Sequence, residues 1–201
     1  MKKKLVITLL SSSFFVSSVF ASHQTDFTYQ HLPIHPACVA LFNASMADYP
    51  YISAVNVNVC QHSNAAYQQI IKKENNTYAY FVNDKNTDEG SYAYRVIGKT
   101  TNGSYVLKTD ATSGGTLHAS MLLLLRLNER LLSVYEGKTH KMDKVTEMQL
   151  QGYVVGGDRC AGDFANVSIA GNQLKIKQYL GDNAADCDKT REFTIDLANG
   201  E

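Results

Sequence analysis

The chain predicts an α+β, mainly β fold: one or two short N-terminal helices, then a curved or partly closed antiparallel sheet of seven to nine strands, held by two disulfides. Three observations carry this. From Thr77 onward large apolar residues recur at every second position, the period of strands with one wet and one dry face. Asn102-Gly103 and Gly171-Asn172 punctuate that pattern where tight hairpin turns need them. All four cysteines, Cys38, Cys60, Cys160 and Cys187, follow a hydrophobic leader, and an even count in an exported chain reads as two disulfides.

The leader comes first. Met1-Lys2-Lys3-Lys4, an apolar, serine-rich run from Leu5 to Phe20 and the small residues around Val19-Phe20-Ala21 form a secretory signal peptide, cleaved after Ala21. Its apolar part is too short for a membrane span. Removing 21 of 201 residues leaves 180, a length that suits one domain with a real core. Three lysines leave with it, so 19 basic and 19 acidic residues become 16 and 19, and a net charge of −3 gives no reason to expect nucleic acid as a partner.

Cys38 with Cys60 and Cys160 with Cys187 is the favoured pairing among three, because each pair is local. Loops of these lengths are each worth roughly 3 to 3.5 kcal/mol, against a total stability of about 5 to 15 kcal/mol. The competing zinc site, His31, His35, Cys38, Cys60 and His62, is disfavoured: thiols survive poorly outside the cytoplasm, and Pro33 and Pro36 break a helix that would align the histidines.

Ser22 to His35 carries no periodicity and reads as an irregular leader to the domain at 36–201. Pro36, at home in a first helical turn, opens a short helix on which Cys38, Leu41, Phe42 and Met46 recur at helical spacing. Val55, Val57 and Val59 alternate with asparagines as a short strand or extended segment, and Ser63 caps a second helix running to Lys73. Tyr78, Tyr80 and Val82 share one face of the next strand; Asp84 to Gly90 is a loop; residues 91–109 form a hairpin around Asn102-Gly103.

Residues 116–136 are ambiguous. Met121-Leu122-Leu123-Leu124-Leu125 has no polar face, which fits a strand buried on both sides, with Asn128-Glu129 turning into a second strand from Arg130 to Tyr135. Leu117, Met121, Leu124, Leu131 and Tyr135 also fall near a helical stripe. Strands are preferred. Gly137 to Lys144 reads as a polar loop. Thr146, Met148, Leu150 and Val154 mark a half-buried strand leading to a glycine-rich turn, and a hairpin around Gly171-Asn172 and a last strand through Phe193, Ile195 and Leu197 complete the sheet.

That glycine-rich turn, Gly156-Gly157-Asp158-Arg159-Cys160-Ala161-Gly162, follows a strand, and Leu122 to Leu127 follow the glycine turn at 114–115. With the strand Ala170-Gly171-Asn172-Gln173-Leu174-Lys175-Ile176-Lys177-Gln178-Tyr179-Leu180, this resembles a loosely defined group of exported proteobacterial proteins with a Gly-Gly-Asp-Arg-Cys-x-Gly turn. The resemblance covers about the second half of the mature chain. It implies strands over 116–136 and carries no activity. Asp163 stands where the group has a second glycine.

The same turn supplies the candidate ligand-binding residues, Gly156, Gly157, Asp158, Arg159 and Asp163. Glycines let a backbone approach a ligand, the Arg159 fork fits a carboxylate or phosphate, and the two aspartates orient it. The competing structural reading makes Gly-Gly a sharp turn, Asp158 a cap, and Arg159 the partner of an aspartate. Asp182, Asn183, Asp186 and Asp188 lack the order of a calcium loop. Ser113, with His118 or His140 as base, lacks a nucleophile elbow.

No cofactor, metal or catalytic constellation is expected. The function expected is an exported binding protein, in the form of an inhibitor or host-interaction factor, whose partner is a protein or small polar ligand outside the cytoplasm. A secreted hydrolase or an envelope assembly protein is the alternative. A cleft with convergent ionisable groups favours the enzyme, a protruding loop or tyrosine-rich face favours binding, and a long unpaired edge strand favours strand addition.

Overall fold

The computed structural model describes residues 27–43, 52–65, 71–73, 77–81, 90–112 and 117–198. The signal peptide, Ser113 and most of the loop at 84–90 lie outside them. The architecture is mainly β with two short helices, and both disulfides join the expected pairs, Cys38–Cys60 and Cys160–Cys187. Two disulfides fit an oxidising, extracytoplasmic environment. No helix among the described residues is long and apolar enough to cross a membrane.

The strands fall into three antiparallel sheets. The smallest pairs β1 (Thr28–Tyr29) with β2 (Leu32–Pro33). The largest contains β3 (Ala54–Asn56), β4 (Ile71–Lys73), β5 (Thr77–Phe81), β6 (Ser91–Lys99), β7 (Tyr105–Thr112), β8 (His118–Glu136) and β9 (Thr139–Val155) in the order β3-β9-β8-β7-β6-β5-β4. The third is the meander of β10 (Phe164–Ala170), β11 (Gln173–Tyr179) and β12 (Thr190–Asp196).

Alternation along the strands divides the large sheet's side chains between two cores. Tyr92, Tyr94, Tyr105, Leu107, Met121, Leu123, Leu125 and Met148 bury one face against the N-terminal segment and helices α1 (Pro36–Ala40) and α2 (Val57–Ala65). Val106 and Leu122 face the other way, onto Phe164, Val167, Leu174 and Ile176 of the small sheet. The leucine run is therefore a strand covered on both sides, which is why it lacks a polar face. Gly98 sets how closely the sheets approach: a Cβ there would lie 2.4 Å from Cγ2 of Ile169.

The N-terminal segment is tied down at several points. Phe27 packs edge-on against Tyr94 and Tyr105. Buried His35 accepts the Ala37 amide at Nδ1 and so caps α1, while Gln61 of α2 accepts the His35 amide and donates to the Pro33 carbonyl. Cys38–Cys60 joins the two helices, so His35 and the two cysteines of the zinc set serve as cap and crosslink.

Three local expectations are corrected. The second helix runs over Val57–Ala65 rather than Ser63 to Lys73, and Ile71–Lys73 is strand β4. Asn56 accepts the Val59 amide as a cap, and the crosslink at Cys60 and burial of Val57 override the strand propensity of the valines. Residues 118–136 form one strand with no turn at Asn128-Glu129, because β9 pairs with it without a break there, from Met121 to Glu136. The loop at Gly137 to Lys144 shrinks to Gly137-Lys138, with φ +61° at the glycine, since pairing resumes at Glu136 with Thr139.

Candidate functional site

The glycine-rich turn forms the corner between β9 and β10, and its backbone is consumed by the protein itself. The Gly156 amide donates to the Ser120 carbonyl at 3.0 Å, and the Ser120 hydroxyl donates to the Gly157 carbonyl at 3.2 Å. Asp158 and Ala161 exchange two amide hydrogen bonds around Arg159-Cys160. The Gly181 amide donates to the Cys160 carbonyl at 2.9 Å, alongside the Cys160–Cys187 crosslink. A Cβ at Gly156 would lie 2.2 Å from Ser120 Oγ, and one at Gly157 would lie 1.9 Å from the Ala161 carbonyl oxygen. The close approach these glycines permit is thus occupied by the chain's own atoms.

The charged residues of the turn part company. Arg159, with φ +49°, turns its half-exposed guanidinium onto Asp158, Nε to Oδ1 at 2.8 Å and Nη2 to Oδ2 at 3.3 Å. The hydrogen bond from Arg159 holds the Asp158 carboxyl below its ordinary range. Asp158 also accepts the His118 amide. Asp163 faces the other way: its carboxylate meets Lys108 at 3.0 Å and caps the Phe164 amide at 2.6 Å. All five candidates lie in one corner, yet Asp163 does not share a focus with Asp158 and Arg159.

The acidic loop around Cys187 is organised the same way. Asn183 accepts the amides of Ala185 and Asp186, and Asp186 accepts that of Asp188. Among the described residues no cluster of metal-ligating side chains forms.

A second feature belongs to the long hairpin. β7 leaves β8 after the pair Tyr105 with Leu125, and β3 covers β9 only from Glu147 to Gln149. Beyond these points β8 and β9 continue as a two-stranded ribbon of roughly 25 to 35 Å at ordinary strand rise, its base held by Asn58 of α2, which accepts the Thr146 amide and donates to the Lys144 carbonyl. Leu127, Glu129, Leu131, Ser133 and Tyr135 share one face with His140, Met142, Lys144 and Thr146. On that face Leu131 is 65% exposed, Tyr135 75% and Met142 51%. The Tyr135 and His140 rings lie 5.1 Å apart, and the His140 imidazole shares a hydrogen bond with the Ser133 hydroxyl. The opposite face carries half-buried Leu132 and Val134, with the ion pairs Arg130–Glu147 and Lys141–Asp143 at 2.8 Å each.

Sequence reasoning named Leu131 and Tyr135 as strand residues but not as a surface, and placed His140 and Met142 in a loop. The signal that finds them is the alternation of His140, Met142 and Lys144 opposite that of Leu131, Ser133 and Tyr135. The remaining depressions offer less. A cleft of about 220 Å³ between the sheets is lined mainly by Val106, Leu122, Leu124, Val154, Ile195 and Leu197, with Tyr153 and Asp196 as its ionisable lining residues. A wider one of about 430 Å³ is lined by Tyr29, Asn58, Leu127, Glu129 and Lys144, the last two paired with each other at 2.6 Å. No protein-family model matches the chain, and no curated protein or solved structure proves similar to it.

Proposed function

We propose that the mature chain, exported and cleaved after Ala21, is a binding protein that holds a protein partner outside the cytoplasm on the apolar face of the β8–β9 ribbon. One observation carries this: Leu131, Tyr135 and Met142 stand exposed together on an arm that runs beyond the strands flanking it. Contiguous exposed apolar residues have a cost in water that a partner relieves. Tyrosine and methionine are among the residues enriched in recognition surfaces, and tyrosine offers a large, rigid contact area for few rotamers fixed. Inhibition of a host or rival enzyme is one form such binding takes.

The test is capture from envelope and host extracts by the oxidised mature protein, beside Met142→Asp, Tyr135→Ser and Arg159→Ala, with melting curves confirming the fold of each. The expected result is one protein retained by the wild type and by Arg159→Ala and lost by both ribbon variants. Equal retention by the ribbon variants, or loss through Arg159→Ala alone, would move the site to the glycine-rich corner.

A further inference from the structure

We infer that the outer edge of β8 is a self-pairing edge: two copies of this chain join antiparallel along Arg130 to Glu136, Ser133 opposite Ser133, into a four-stranded ribbon. The inference rests on the edge and not on the partner proposed above.

Past Leu125, no strand among the described residues covers that side of β8. A two-stranded ribbon alone is marginally stable in water, and further strands are the ordinary remedy. The two edges of the ribbon are also treated differently. β9 carries Lys141, Asp143 and Lys144 along its outer edge, the charges that discourage strand addition, whereas Leu131 to Tyr135 of β8 contain none.

The chemistry of the edge selects one register. In an antiparallel pair, residues facing each other lie on the same side of the sheet, and a two-fold axis stands perpendicular to it. Centred on Ser133, the sequence Arg-Leu-Leu-Ser-Val-Tyr-Glu is its own complement. Leu131 meets Tyr135 of the second copy, and Leu132 meets Val134. Apolar pairs across strands are stabilising. The two most exposed large apolar side chains among the described residues, Leu131 and Tyr135, thereby cover each other.

Other registers fail. A centre at Leu132 sets Glu129 against Tyr135 and Arg130 against Val134; one at Val134 sets Arg130 against the like charge of Lys138. A centre at Leu131 drives the Gly137 turn of the second copy against Leu125, where β7 already pairs. The chosen axis also brings Leu131, Tyr135 and Met142 of both copies onto one side, doubling the apolar face.

Sedimentation of the oxidised mature protein tests this, with Leu132→Lys placing a charge on the edge. The wild type is expected at twice the monomer mass, and Leu132→Lys at the monomer mass with its melt retained. Ser133→Cys, at the axis, is expected to form a disulfide-linked dimer under mild oxidation, while Met142→Cys, one strand further out, does not. Intact mass confirms that both native disulfides persist. A wild type that stays monomeric at every concentration, or cross-linking by Met142→Cys as readily as by Ser133→Cys, overturns the pairing. A monomer that still captures the partner ends the pairing and leaves the binding function standing; a cross-linked dimer that captures nothing does the reverse.

Discussion

The ammonium of Lys108 lies 3.0 Å from Oδ1 of Asp163, joining the middle of β7 to the end of the glycine-rich corner. Lys108 also reaches Asp110 Oδ1 at 3.5 Å, so one largely buried cation serves two carboxylates on the face turned toward the small sheet. The corner is thus held at both ends, by this pair and by the Cys160–Cys187 crosslink.

Asp110 makes the cluster sensitive to pH. Burial raises its carboxyl above the ordinary value, with Lys108 acting in the opposite direction. The folded state then binds the proton more tightly than the unfolded chain, whose aspartates titrate near pH ~3.9. As pH falls through the raised value toward the unfolded one, protonation relieves the cost of burying the charge, and this residue's contribution to stability rises. Above that window the cost is constant. Asp110→Asn should melt no lower than the wild type at neutral pH and lack that rise on acidification. Melting curves over the weakly acidic range check this, and a variant that melts lower at neutral pH contradicts it.

Two glycines on either side of the β9 terminus should respond to alanine very differently. At Gly157 the new Cβ meets backbone atoms, the Ala161 oxygen at 1.9 Å and the Gly162 Cα at 2.8 Å, so the corner must shift. Gly157→Ala should cost about 1 to 3 kcal/mol, as overpacking does. At Gly152 nothing lies within 4 Å, and Gly152→Ala should stay within about 0.5 kcal/mol of the wild type. Denaturant unfolding measures both; similar losses at the two positions would show that the corner yields easily.

The N-terminal segment hangs on Tyr94, whose buried hydroxyl donates to the Ile34 carbonyl at 2.7 Å. Tyr94→Phe leaves that carbonyl without its donor and should cost about 1 kcal/mol. Phe27→Ala opens a hole beside Tyr94 and Tyr105 and should cost about 3 to 5 kcal/mol. Amide exchange should accelerate around residues 34–38 in both variants. Unchanged exchange there would mean that the helices, not the tyrosine, hold the segment.

Much of the fold was legible residue by residue. Tyr92, Tyr94 and Val96 announce a strand and its dry face, Asn102-Gly103 and Gly171-Asn172 announce their turns, and the cysteine spacing announces both crosslinks. Helix α2 was misplaced because the valines before Cys60 favour strand locally, and only the cap at Asn56 and the crosslink to Cys38 make them helical. The candidate site was legible in part. The glycine-rich corner stood out by composition, but nothing local reveals that Ser120, brought in by β8, fills the space beside Gly156.

By itself the amino-acid order determined period, turn and crosslink, because side-chain alternation, glycine dihedrals and disulfide chemistry act over a few residues or through a covalent bond. Tertiary structure alone decided which side of each strand meets which layer, and how far β8 and β9 outrun their neighbours. The exposure of Leu131, Tyr135 and Met142 depends on where β7 and β3 stop, and those lengths are written in segments distant along the chain. Burial is a property of what arrives from elsewhere, so the same alternation that hides Leu123 and Leu125 leaves Leu131 and Tyr135 in water.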